Sequence, residues 1–141
     1  MLSKIIWKGD LRFEGKTESG HSVIMDSLVK SYGQSKGPSP MEIVALALGG
    51  CTGMDIVNIL KKRKVELRDF QINITSERKE EEPRVFSKIE VEYLIGGEGI
   101  KEEDVALAVN LSKDKYCSVG KMLEGTAEIR YKWKIVTDKL S

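Results

Sequence analysis

The sequence predicts an α+β fold with mostly antiparallel strands, in the order β-β-α-β-β-α-(α)-β. Three observations carry that expectation. Two segments, 85–95 and 129–135, alternate apolar and polar residues with the period of two that a half-covered strand requires. A Ser-Pro pair opens a long apolar run in helical register. The strands come in neighbouring pairs and do not alternate strictly with helices, which argues against a doubly wound sheet.

The elements follow in order. Residues 3–13 read as a strand, with Ile5, Trp7, Leu11 and Phe13 among polar neighbours. Turn residues fill Gly15 to Gly20, and His21 to Asp26 reads as the return strand of a hairpin. The stretch 27–40 is rich in Ser, Gly and Pro and reads as a loop. Ser39-Pro40 then starts a helix from Met41 to about Lys64, because Pro is well tolerated in a first helical turn. Its first half, Ile43 to Leu48, is apolar all round and is expected to be buried. Its end, Lys61-Lys62-Arg63-Lys64, complements the negative pole of the helix dipole. Strands are expected at 67–78 and 85–95, separated by the Glu80-Glu81-Glu82-Pro83 loop. In the second, Val85, Ser87, Ile89, Val91, Tyr93 and Ile95 face inward while Phe86, Lys88, Glu90, Glu92 and Leu94 lie on a mostly wet face. A helix is expected from Lys101 to Lys115, acidic at its start and basic at its end, and a shorter one from Tyr116 to Leu123. The last strand places Ile129, Tyr131, Trp133 and Ile135 on one face.

Length and composition set the class. The 141 residues suit one domain, 1–141, long enough to bury a core without disulfide or metal staples. Apolar residues are 40% and charged residues 32%, an ordinary globular balance. With 23 basic and 22 acidic side chains the net charge is +1, which steers the protein toward neither nucleic acid nor an anionic membrane. No run of about 20 apolar residues suggests a membrane span, and the N-terminus lacks a signal-peptide pattern, so the cytoplasm is the expected location.

Few residue types are left to carry chemistry. Gly49-Gly50 and Gly96-Gly97 match no phosphate-binding fingerprint. The one histidine, His21, with two distant cysteines makes a poor zinc set, and no bound cofactor or metal is expected. Cys51 and Cys117 remain. In a reducing compartment they are either two inert buried thiols or a redox pair. Cys51 sits in Gly49-Gly50-Cys51-Thr52-Gly53, poor helix chemistry at roughly 1 kcal/mol per glycine relative to alanine. Either a partner element packs closely there, or the small neighbours leave room for a substrate. A helix that bends or restarts at Gly49-Gly50 would also bring freed N–H groups to the sulfur. On a continuous helix the Cys51 face carries Val44, Ala47, Leu48, Met54, Asp55 and Asn58, apolar on one side and polar on the other.

Pro38-Ser39-Pro40-Met41-Glu42, followed by an Ala/Leu-rich run into Gly49-Gly50-Cys51, resembles the central helix of the osmotically inducible protein C / organic hydroperoxide resistance (OsmC/Ohr) family. Tyr116-Cys117-Ser118-Val119 resembles its second cysteine segment. Ser19-Gly20-His21 and Thr75-Ser76-Glu77-Arg78 resemble the YhfA-like branch. The resemblance spans nearly the whole chain. It implies an intertwined homodimer with six-stranded sheets around two central helices. It also implies a stress-protective thiol peroxidase. The Cys51 thiolate would attack a hydroperoxide and become a sulfenic acid, Cys117 would condense with it, and an external dithiol of lipoyl type would reduce the disulfide.

Two positions depart from the family pattern. The typical enzymes carry a Glu directly after the Pro that opens the helix. Here that place is Met41, and Glu42 is the candidate to assist the sulfur; at about 100° per residue it falls roughly opposite Cys51 on a straight helix. For the thiolate-activating Arg of the N-terminal hairpin, Arg12 is the only candidate in that region. Other readings stay open: a non-catalytic small-molecule-binding dimer, a different thiol-redox enzyme, or a structural domain that associates through an apolar helix.

Overall fold

The computed structural model describes residues Met1–Thr137. Its contacts divide the chain into two compact units, Met1–Val44 and Ala45 onward.

The first unit is an antiparallel sheet of β1 (Ser3–Trp7), β2 (Phe13–Thr17) and β3 (Ser22–Met25). The expected single strand over 3–13 is therefore two. Gly9 (φ 98°) and Asp10 (φ 47°) reverse the chain, and the Trp7 indole N–H donates to the Asp10 carbonyl at 2.9 Å. Apolar spacing alone did not register this turn, because Leu11 and Phe13 continue the alternation of Ile5 and Trp7 across it. After β3, Asp26 is buried and holds the following loop. It accepts N–H groups of Lys36 (2.9 Å) and Ser27 (2.7 Å) and the Arg12 guanidinium (3.2 Å). These donors, the Lys36 amide foremost, hold its carboxyl below the usual range.

Helix α1 (Pro40–Lys62) runs unbroken through Gly49-Gly50, so no bend frees N–H groups beside Cys51. Ser39 caps its start. Its hydroxyl accepts the Glu42 N–H at 3.2 Å, and the Glu42 carboxylate accepts the Ser39 N–H at 3.3 Å, a reciprocal capping box. By length and composition α1 is apolar enough to cross a membrane, which the sequence reading did not anticipate. One stripe of it, Leu48, Thr52, Ile56 and Leu60, is nevertheless fully covered by the protein itself.

In the second unit β4 (Asp69–Arg78) pairs antiparallel with β5 (Phe86–Gly96), and β5 pairs parallel with β6 (Glu128–Val136). The parallel return needs a crossover, supplied by α2 (Glu102–Leu111) and α3 (Ser118–Leu123). Ile89, Val91, Tyr93 and Ile95 of β5 are buried, as are Val105, Ala108 and Val109 of α2. Phe86, expected on the wet face, is buried: an irregularity between Glu77 and Arg78 pairs Arg78 with Phe86 and leaves Ser87 over, which reverses the side-chain parity. The helix expected to reach Lys115 ends at Leu111. A wider π-type turn, Ser112–Tyr116, follows and closes with Cys117 N–H donating to the Ser112 carbonyl at 2.8 Å.

Candidate functional site: a thiol pair on a buried hydroxyl chain

Cys51 lies mid-way along α1 and is half-buried. The glycines around it have different jobs. A Cβ on Gly49 would stand 3.1 Å from Ile74 Cδ1 and one on Gly53 2.9 Å from Ile72 Cδ1, so both admit β4 side chains against the helix backbone. A Cβ on Gly50 would meet nothing within 4 Å. Close packing thus explains two of the three glycines, and open space surrounds the third.

Cys117 occupies the N-cap position of α3, where its sulfur accepts the Gly120 N–H at 3.3 Å. It is only 4% exposed. The fold brings its thiol close enough to Cys51 for the two to act on each other's protonation, and both thiols are free. Burial pushes the Cys117 thiol up to about 11; the Gly120 N–H opposes the shift, while Cys51 and the Asp55 carboxylate reinforce it. At neutral pH Cys117 is therefore a protonated thiol beside Cys51. Gly120 lets the sulfur sit close to the helix: a Cβ there would lie a tight 3.2 Å from the Cys117 sulfur, with the Tyr131 hydroxyl at 3.4 Å and Leu48 at 3.5 Å in ordinary contact.

Behind the thiols runs a chain of side-chain hydrogen bonds. The Ser112 hydroxyl donates to Asp55 at 2.8 Å, Thr52 and Ser112 are bonded at 2.7 Å, and Thr52 and Tyr93 at 2.7 Å. Thr52, Ser112 and Tyr93 are fully buried, and no buried side-chain polar atom among the described residues lacks a partner. The aromatic rings of Phe70, Tyr93 and Tyr131 stack in sequence, with centroid separations of 6.3 and 6.5 Å. Burial raises both tyrosine hydroxyls, that of Tyr131 to about 12.

Of the residues singled out from the sequence, the fold unites Cys51 with Cys117. Glu42 is engaged in the capping box and Arg12 in the ion pair with Asp26, both within the first unit. His21 accepts or donates at Ser19 in the hairpin turn, 3.0 Å away. No group of three or more His, Cys, Asp or Glu that could hold a metal occurs among the described residues. Sequence reasoning placed Asp55 on the Cys51 face by its i+4 spacing. It missed Thr52, Tyr93, Ser112 and Tyr131, whose only signal is that polar atoms in apolar stretches need partners.

Such a pair of free thiols can exchange two electrons by closing and reopening a disulfide. Comparison with known proteins adds a frame to that chemistry. The family model described as OsmC-like protein matches residues 33–132. Protein YhfA of Escherichia coli K12 is 40% identical over 136 residues, covering 96% of this chain and 98% of the relative. The crystal structure of a hypothetical protein from Aquifex aeolicus superposes with a TM-score of 0.86 at 28% identity, over 98% of this chain and 97% of that one. The organic hydroperoxide resistance protein OhrB of Bacillus subtilis shares the fold, with a TM-score of 0.65 at 18% identity over 95% and 98% of the two chains.

Proposed function

The chain belongs to the OsmC-like protein family, and on that premise we propose that it is a thiol-dependent organic hydroperoxide reductase serving in oxidative-stress protection. The observation that carries this reading is the Cys51–Cys117 juxtaposition: a half-buried free thiol beside a buried one that it interacts with, from segments far apart in sequence. Cys51 thiolate attacks the outer peroxide oxygen, the O–O bond breaks, and the alcohol leaves after taking a proton. The Cys117 sulfur then attacks the Cys51 sulfenic sulfur and displaces its hydroxyl. An S–S bond forms, and the thiol proton leaves with that hydroxyl as water. An external dithiol, of lipoyl type, returns the two electrons and is itself oxidised to a disulfide. In this reading Glu42 steadies the start of α1, and a bound cofactor is not required.

Hydroperoxide resistance is what the name of the B. subtilis relative states of that protein, and it is the role we extend to this one. A cytoplasmic setting suits the reading, because a reducing compartment keeps both thiols available. A homodimer suits it too. Leu46 (67% exposed), Met54 (75%) and Val57 line α1 with apolar surface that a second copy of the chain would cover.

The test begins with reduced protein and one equivalent of cumene hydroperoxide, with thiols counted by mass spectrometry and a Cys117→Ser control. Rapid loss of two thiols to one intramolecular disulfide, with Cys51 sulfenic acid trapped in the control, is expected. Two thiols intact after minutes would sink the peroxidase reading and favour a ligand-binding protein.

A further inference from the structure

We propose that Ser112 and Asp55 are the positioning residues of the thiol pair: a hydrogen-bond chain of fixed direction, Tyr93 to Thr52 to Ser112 to Asp55, fastens the turn carrying Cys117 onto the helix carrying Cys51. The inference rests on the redox role of the two cysteines set out above.

The direction follows from counting protons. Ser112 donates its single hydroxyl hydrogen to the Asp55 carboxylate. In its 2.7 Å bond to Thr52, Ser112 can then only accept, so Thr52 is the donor. Thr52 has thereby used its own hydrogen, so it accepts from the Tyr93 hydroxyl at 2.7 Å. Every hydroxyl in the chain donates once, and the chain ends on a carboxylate.

Its location ties it to the sulfurs. Thr52 follows Cys51 directly, and Asp55 lies one turn further along the same helix. The Ser112 hydroxyl is thus held twice by α1, while the Ser112 carbonyl accepts the Cys117 N–H at 2.8 Å. One residue links the helix of the first thiol to the backbone of the second. Between them lies the π-type turn Ser112–Tyr116, a form of helix that is rare and that recurs at functional sites. A buried polar network, fully satisfied, specifies one arrangement where an apolar contact would tolerate several.

Disulfide closure reports this positioning directly. Full-length reduced protein is equilibrated in glutathione redox buffers, and the effective concentration of the Cys51–Cys117 pair is read from the disulfide fraction. Ser112→Ala cuts the chain, and Asp55→Ala, at a half-buried position, cuts its end with less risk to folding. Each is expected to lower the effective concentration, by about tenfold for Ser112→Ala. Asp55→Asn, whose amide oxygen still accepts the Ser112 hydroxyl, is expected to restore it. Circular dichroism establishes that each variant is folded. Wild-type values in folded Asp55→Ala and Ser112→Ala would overturn the proposal, as would a wild-type pair that never closes. A pair that closes normally in glutathione yet ignores cumene hydroperoxide would overturn the peroxidase reading instead and leave the positioning role intact.

Discussion

Thr52→Val tests how strongly the buried chain is coupled. The substitution keeps the side-chain shape, so no cavity opens, but it deletes the hydroxyl that bonds both Tyr93 and Ser112. Ser112 can still donate to Asp55. Tyr93, fully buried, is left with an O–H that has lost its acceptor. A stranded buried donor costs about 1–3 kcal/mol, so Thr52→Val is expected to destabilise by about 2 kcal/mol. Tyr93→Phe alone removes one bond and leaves Thr52 still donating to Ser112, at about 1 kcal/mol. In the double variant no donor is stranded, and its cost is expected to fall at least about 1 kcal/mol short of the sum. Urea unfolding at one fixed protein concentration measures all four proteins, because association would make the midpoint concentration-dependent. A double variant whose loss equals the sum of the singles, at unchanged m, would refute the ordered chain.

Other outcomes follow from the same geometry. The folded Cys117 thiol keeps its proton up to about pH 11, while the unfolded chain releases it near the ordinary value of 9.0. Stability from this group is therefore intact below pH 9 and is lost as pH rises toward 11. Melting curves from pH 8 to 11 should fall more steeply for wild type than for Cys117→Ser, and parallel curves would contradict this. Gly120→Ala would gain about 1 kcal/mol of helix propensity but press a methyl onto the Cys117 sulfur and the Tyr131 hydroxyl, so a net loss of about 1–2 kcal/mol is expected by chemical denaturation. Glu42→Ala should cost about 1 kcal/mol in thermal unfolding, with Glu42→Gln milder, while sulfenic acid formation at Cys51 proceeds at the wild-type rate.

Strands whose faces differ sharply could be read directly from the sequence. Ile129, Tyr131, Trp133 and Ile135 against Glu128, Arg130, Lys132 and Lys134 leave one arrangement, and β6 spans Glu128–Val136. The hairpin at Gly9-Asp10 escaped because the alternation on its two sides is in phase, so only the left-handed turn betrays it. Phe86 escaped because one left-over residue reverses parity without changing composition. The Ser39-Pro40-Met41-Glu42 spacing already spells a capping box, built on the same carboxylate that the family resemblance offers as an assistant to the sulfur. The two cysteine segments could be recognised individually, but their meeting could not be read from spacing. The Ser112–Asp55 bond, across 57 residues, was equally hidden, since it depends on how α1 and the end of α2 come together.

The paired isoleucines of β4 work like teeth in a rack. Gly49 and Gly53 are four residues apart, about 6 Å along a helix, and Ile74 and Ile72 are two residues apart, about 7 Å along a strand. The two spacings nearly coincide, so each methyl finds its notch together with the other. A slip of α1 by a single residue would bring both methyls against Gly50 and Met54, or against Leu48 and Thr52, and fill at least one notch with a side chain. Cys51 sits midway between the two notches. Its address along the sheet is thus set by the meshing of two glycines with two isoleucines.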